Sequence, residues 1–245
     1  MLEKLEMFND RNQEFQLLED YLKNRTHGQE PLSILEAGCG RAWPLKLSGI
    51  SYRLTGVDID EKALNARKII VKDLDDSIIG DLRTLDIQDR KYDVVYSSYV
   101  LEHITHAERA LENMTRWLKP GGLLILRIPD RDSVYGFITR ITPFWVHVFY
   151  KKYVKKIKHA GEEGFGPYPT VHDHIISRNG IHEFCKRNGL VIKEEYGKAS
   201  YLNGKGIVPI LSRAFAIAVS AMSLGKLRWE HNNLTYIIVK PESAP

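Results

Sequence analysis

The chain has 245 residues, 43% of them hydrophobic and 27% charged, with a formal net charge of +4. That composition suits one large globular unit, or a core with an appended cap, and excludes a disordered or fibrous chain. The charge excess is too mild to mark a nucleic-acid binder, and the two cysteines, Cys39 and Cys185, fall in no paired motif, which excludes a disulfide framework and a structural zinc site.

Residues 1–29 are polar and mixed in charge and are expected to form an N-terminal helical segment ahead of the main domain at 30–245. They carry no basic-then-apolar leader, and the longest apolar stretch, Ile207–Leu224, is interrupted by Pro209 and Arg213; a cytoplasmic protein is expected. Leu32–Ala37 reads as a buried strand and Tyr52–Asp58 as a second. A helix follows over Glu61–Val71, with Asp60 as its N-cap. Tyr92–Ser97 is a further strand, Ala107–Leu118 a helix, Lys119–Gly122 a turn and Leu123–Ile128 another strand. Apolar strands alternating with helices require crossover connections, hence a parallel α/β sheet. Beyond Pro129 that rhythm stops. Segments at about 131–175 and 198–230 read as cap insertions. Between and after them, Ser177–Asn188 reads as a helix closed by Gly189, and Leu190–Tyr196 and Thr235–Lys240 as the last strands. Ile207–Leu224 reads as a buried lid helix.

The strand at Leu32–Ala37 runs directly into Gly38-Cys39-Gly40. Paired glycines at a strand end let the chain turn tightly and let a ligand approach without meeting a Cβ. About twenty residues on, Asp58 ends the next strand, where a carboxylate can accept bonds from ribose hydroxyls. A dinucleotide fingerprint would need a third glycine, but Trp43 stands there. Glu36, at the strand end, disfavours a pyrophosphate and suits a cationic ligand. An amino-acid nucleoside is therefore favoured over a nicotinamide dinucleotide.

Glu36-Ala-Gly-Cys-Gly40, Gly56-Val-Asp58-Ile-Asp60, Gly80-Asp81, Tyr92-Asp-Val-Val95, Val100-Leu-Glu-His103-Ile and Leu118-Lys-Pro-Gly-Gly122 occur in this order. Together they resemble the class I S-adenosylmethionine-dependent methyltransferases of small-molecule type. The resemblance implies a Rossmann-like, doubly wound, mostly parallel seven-stranded sheet with a final antiparallel strand, and S-adenosyl-L-methionine as cofactor. It places Glu36 by the methionine moiety, Gly38 and Gly40 beneath it, and Asp58 on the ribose. Ile59 would lie on the adenine, Asp81 at its amino group, the Leu82 backbone at a ring nitrogen, and Ser97 under the methionine. Direct in-line transfer to a small-molecule or lipid-like acceptor, at oxygen, is expected, with His103, His172 or His174 as the base and no metal. The alternatives are a catalytically silent cofactor-binding module and an RNA or protein methyltransferase; no DNA partner is expected and RNA is disfavoured. Phe144–Ile157 interleaves apolar residues with lysines up to Lys158. It reads as a helix packed on the core, as a peripheral membrane contact through 144–158, or as an electrostatic site for a phosphorylated or acidic acceptor or RNA. The oligomeric state stays open.

Overall fold

A computed structural model describes residues 4–25, 30–154, 156–162, 166–171, 173–199 and 207–242. The expected strands form where the apolar runs place them: β2 Leu32–Ala37, β3 Tyr52–Asp58, β5 Tyr92–Ser98, β6 Leu118–Pro129, β7 Val191–Lys198 and β8 Asn233–Val239. Two more join them, β1 Glu6–Phe8 and β4 Asp76–Ile79, and the sheet runs β1-β7-β8-β6-β5-β2-β3-β4. Every neighbour pair is parallel except those of β8, which is antiparallel to both β6 and β7. The architecture is thus the Rossmann-like one expected, with a correction in strand number: eight among the described residues, because Glu6–Phe8 pairs with Tyr196–Lys198 beyond the expected edge. Its three residues are too few to show a strand period in the sequence.

Two-residue alternation sorts the strands onto two faces. Leu35, Val57, Val95, Leu124, Leu126, Tyr236 and Ile238 build one core with helices α3 (Ala107–Arg116) and α6 (Arg178–Arg187). Ile34, Leu54, Val94, Tyr96, Ile125 and Ile237 build the other, under Leu18 and Leu22 of α1 (Arg11–Lys23). The segment read as preceding the domain therefore supplies an edge strand and a helix that covers one face of the sheet.

Local signals hold where chemistry is local. Asp60 caps α2 (Glu61–Asn65), its carboxylate accepting from the amides of Lys62 and Ala63, and α2 widens into a π-helical turn, Ala66–Val71. Ser177 caps α6, and Gly189, with φ of +63°, follows its end. The Lys119–Gly122 turn is a loop-out within β6, since Leu118 pairs with Tyr92 and Leu123 with Val94.

The cap departs from expectation. Helices α4 (Val134–Ile141) and α5 (Phe144–Phe149) follow β6, and a π-helical turn, Tyr150–Val154, extends α5. No residue of α5 or of that turn is buried, so the core-packed reading of Phe144–Ile157 is incorrect. Helix α7 (Ile207–Met222) is not a buried lid either, for Ile207, Ile210, Leu211 and Phe215 stand 57–70% exposed. Helical spacing reports an apolar face but not what covers it.

Candidate functional site

The carboxyl ends of β2, β3 and β5 meet where the strand order reverses, the usual ligand crevice of such a sheet. Gly38 and Gly40 form the turn after β2 with φ of +73° and +52°. A side chain on Gly38 would collide with Val100, whereas a Cβ on Gly40 would meet nothing within 4 Å. The first glycine is thus required by packing, and the second faces open space.

Asp58 ends β3 beside that space. One carboxylate oxygen accepts from the Gly40 amide at 2.8 Å and the other from the Asp60 amide at 2.9 Å, which fixes its orientation and leaves lone pairs for a ligand. Ile59 follows with its side chain 73% exposed. Leu82 is buried, and its carbonyl accepts from Asn113 at 2.9 Å while its own amide has no partner among the described residues. The oriented Asp58 carboxylate touches a glycine with open space above it, and the exposed Ile59 follows directly; with the unused Leu82 amide, these supply the donor, acceptor and apolar groups a nucleoside requires.

Three of the expected residues are already engaged within the chain. Glu36 is buried and ion-paired to Arg67 at 2.9 Å; Arg67, fully buried, also donates to the Cys39 carbonyl at 2.7 Å and to Asp73 at 2.8 Å. Glu36 thus has a cationic partner within the chain. Burial still pushes Glu36 up to about 8, against the lowering effect of Arg67. Asp81 is held by both oxygens on Arg83, whose hydrogen bond keeps its carboxyl below the ordinary value. Ser97 is buried and its hydroxyl donates to the Ala37 carbonyl at 3.1 Å, tying the ends of β2 and β5 together.

After β5 the chain turns through Leu101–His103, adjoining Val100, whose side chain rests on Gly38. His103 donates from Nδ1 to the Pro169 carbonyl at 2.9 Å, so the neutral ring presents Nε2 as an acceptor. Burial, with the Lys151 charge, moves its pKa below the ordinary histidine value. Nε2 lies 3.9 Å from Oε1 of Glu102, a buried carboxyl whose Oε2 has no partner and which burial pushes up to about 8. Glu102 stands out only in three dimensions; the sequence marks it merely as the neighbour of a histidine. His174 lies elsewhere, lining a surface cleft of about 490 Å³ with His106, Arg109, Glu183 and Arg187, and none of the residues discussed for the nucleoside lines it. His172 lies outside the described residues.

Asp130, a weaker candidate base in the sequence, and Glu14 each sit in a buried polar pairing that the sequence does not reveal. Asp130 and His231, both buried, bond at 2.7 Å just beyond β6 and just before β8. Glu14 of α1 is fully buried and accepts from Arg127 at 2.6 and 2.9 Å, from Lys198 at 2.8 Å and from Thr235 at 2.7 Å. Both join residues more than a hundred positions apart, so no motif spacing could reveal them.

Residues 35–126 match the model of a family described as a methyltransferase domain. A Mycolicibacterium smegmatis protein named as a probable S-adenosylmethionine-dependent methyltransferase is 31% identical over 128 residues, covering 50% of this chain and 47% of its own. The malonyl-[acyl-carrier protein] O-methyltransferase of Buchnera aphidicola is 28% identical over 107 residues, or 43% of each chain. The chain spans less than half the length of the curated relatives it matches. The N-methyltransferase NodS of Bradyrhizobium japonicum, solved with S-adenosyl-L-homocysteine, superposes with a TM-score of 0.54 over 94% of this chain and 87% of NodS at 16% identity, a likeness of fold.

Proposed function

We propose, from the premise that residues 35–126 form a class I S-adenosylmethionine-dependent methyltransferase domain, that the chain transfers a methyl group to an oxygen of a small-molecule or lipid-like acceptor. The observation that carries the reading is the corner at Asp58, where a carboxylate oriented by two backbone amides stands between open space at Gly40 and exposed Ile59. Asp58 would hold the ribose, Ile59 the adenine face, Leu82 the ring nitrogen through its amide, and Glu36 and Ser97 the methionine end. Asp81 would serve the adenine amino group through a lone pair left by Arg83. The segments at about 131–175 and 198–230 would shape the acceptor side.

When bound, S-adenosylmethionine supplies an electrophilic sulfonium methyl. What the chain adds is orientation, exclusion of water and a place for the acceptor's proton. His103 is the residue suited to that proton. Its Nδ1 bond to Pro169 sets the tautomer, and its lowered pKa keeps Nε2 unprotonated at neutral pH. Glu102 is a positioning residue here, since its carboxylate form would stabilise a charged imidazole 3.9 Å away. The malonyl-[acyl-carrier protein] relative, an O-methyltransferase by name, is in keeping with an oxygen acceptor.

Asp58→Ala is expected to weaken cofactor affinity by about 1–3 kcal/mol, or roughly 5- to 150-fold, through loss of charge-assisted hydrogen bonds. Titration of S-adenosylhomocysteine into the variant checks this, and wild-type affinity would overturn the ribose assignment. The reaction itself is tested by labelled S-adenosylmethionine with lipid and small-molecule extracts, followed by mass spectrometry. A product gaining one methyl on oxygen is expected; a product methylated only at nitrogen or carbon would contradict the oxygen reading.

A further inference from the structure

We propose that α5, its π-helical extension and α7 form a surface that docks on an anionic lipid bilayer, lying in the headgroup plane rather than crossing it. The proposal deepens the lipid-like acceptor reading and rests on it for its purpose, though not for its test. On α5 and its extension, Trp145, Phe149 and Tyr153 stand 68%, 54% and 62% exposed; on α7, Ile210, Phe215 and Met222 stand 67%, 57% and 76% exposed. The two helices belong to one region of the cap, because α4 packs on α7 and only Thr142 and Pro143 separate α4 from α5. Large exposed apolar side chains grouped on helices of one cap region mark a docking face.

The choice of occupant follows from what accompanies the apolar groups. Lys152, Lys156 and Lys158 are exposed along the same stretch, and no acidic residue occurs between Phe144 and Lys158. Lysine is depleted at the core of protein interfaces, whereas lysines beside tryptophan, tyrosine and aliphatic side chains suit an anionic headgroup layer with acyl chains beneath it. Among the described residues no helix is long and apolar enough to cross a membrane, which leaves the in-plane mode for this surface. The surface also adjoins the acceptor end of the site. Lys151 and Tyr168 flank Gly166, and the Tyr168 ring meets that of His103 at 5.6 Å, so a docked cap would present the His103 side of the crevice to the bilayer.

The test is flotation of the full chain with vesicles of phosphatidylcholine alone and of phosphatidylcholine with phosphatidylglycerol. Flotation with the anionic vesicles only, weakening as salt is raised, is expected. W145S/F149S is expected to lower partitioning by tenfold or more, on the order of the loss from removing two buried apolar anchors. K152Q/K158Q is expected to lower it by about 30-fold. Circular dichroism matching wild type would show that each variant is folded. Equal flotation with neutral and anionic vesicles, or flotation indifferent to both variants, would overturn the proposal. So would a stable dimer in light scattering that W145S/F149S dissolves, because the face would then belong to a second copy. Binding of S-adenosylhomocysteine is measured separately, so failure of the cofactor reading and failure of bilayer docking are distinguishable.

Discussion

Replacing His103 with alanine is expected to lower methyl transfer by about 10²- to 10⁴-fold, the range for loss of a positioned general base, while leaving cofactor affinity unchanged. The side chain is 31% exposed, and its contacts are the Pro169 carbonyl, the Tyr168 ring and the neighbouring Glu102, so its removal costs the fold little. The pH profile separates a base from a structural residue. Because its pKa lies below the ordinary histidine value, the active free base forms as pH rises through a midpoint below about 6.5. Turnover should therefore climb on the acid side and be level by neutral pH. Glu102, held near 8 by burial, should add a second rise there as its carboxylate forms beside the imidazole, and Glu102→Gln should remove that rise and keep the first. Wild-type turnover in His103→Ala would remove His103 from the chemistry.

The second large effect falls on stability. Glu14→Ala is expected to cost about 3–5 kcal/mol, because it leaves the buried Arg127 guanidinium and the half-buried Lys198 ammonium around a missing carboxylate. A domain of this size is stable by only about 5–15 kcal/mol, so the loss should be plain in denaturant unfolding. The pH dependence has a definite sign. Burial alone would raise the Glu14 pKa, but the bonds and charge of Arg127 and the bonds of Lys198 and Thr235 outweigh it and hold the carboxyl below its ordinary 4.5. The stabilisation is therefore complete above about 4.5 and is lost as pH falls through the lower folded value. Wild-type should lose stability on acidification in that window, and Glu14→Gln should lose correspondingly less. Equal unfolding midpoints for wild type and Glu14→Ala would contradict the role given to this cluster.

What the sequence made legible follows from the range of the interactions involved. The strand, glycine turn and acid from Leu32 to Asp58 are set by neighbours a few residues away, as is the cap at Asp60, and each forms where expected. Partnerships that depend on the folded chain were hidden. Arg67 stands 31 positions from Glu36, and nothing in Ala-Arg-Lys-Ile-Ile-Val identifies it as the buried counter-charge. Glu14 meets Arg127 across 113 positions, and α1 could be read only as polar and mixed because its buried glutamate looks like a surface one. The amphipathic patterns at Phe144–Ile157 and Ile207–Leu224 were visible, but what a pattern faces depends on the neighbouring surface, and here both faces remain open. His174, offered as a base by resemblance, lines a surface cleft with His106, Arg109 and Glu183, a placement that depends on the folded chain.

The central claim is that the corner formed by Gly40, Asp58, Ile59 and Leu82 holds S-adenosylmethionine. Isothermal titration of the full chain with S-adenosylhomocysteine, run beside Asp58→Ala, tests it directly. Saturable one-to-one binding by the wild type, weakened roughly 5- to 150-fold in the variant, is the predicted result. Absence of binding by protein whose circular dichroism shows an intact fold would contradict it.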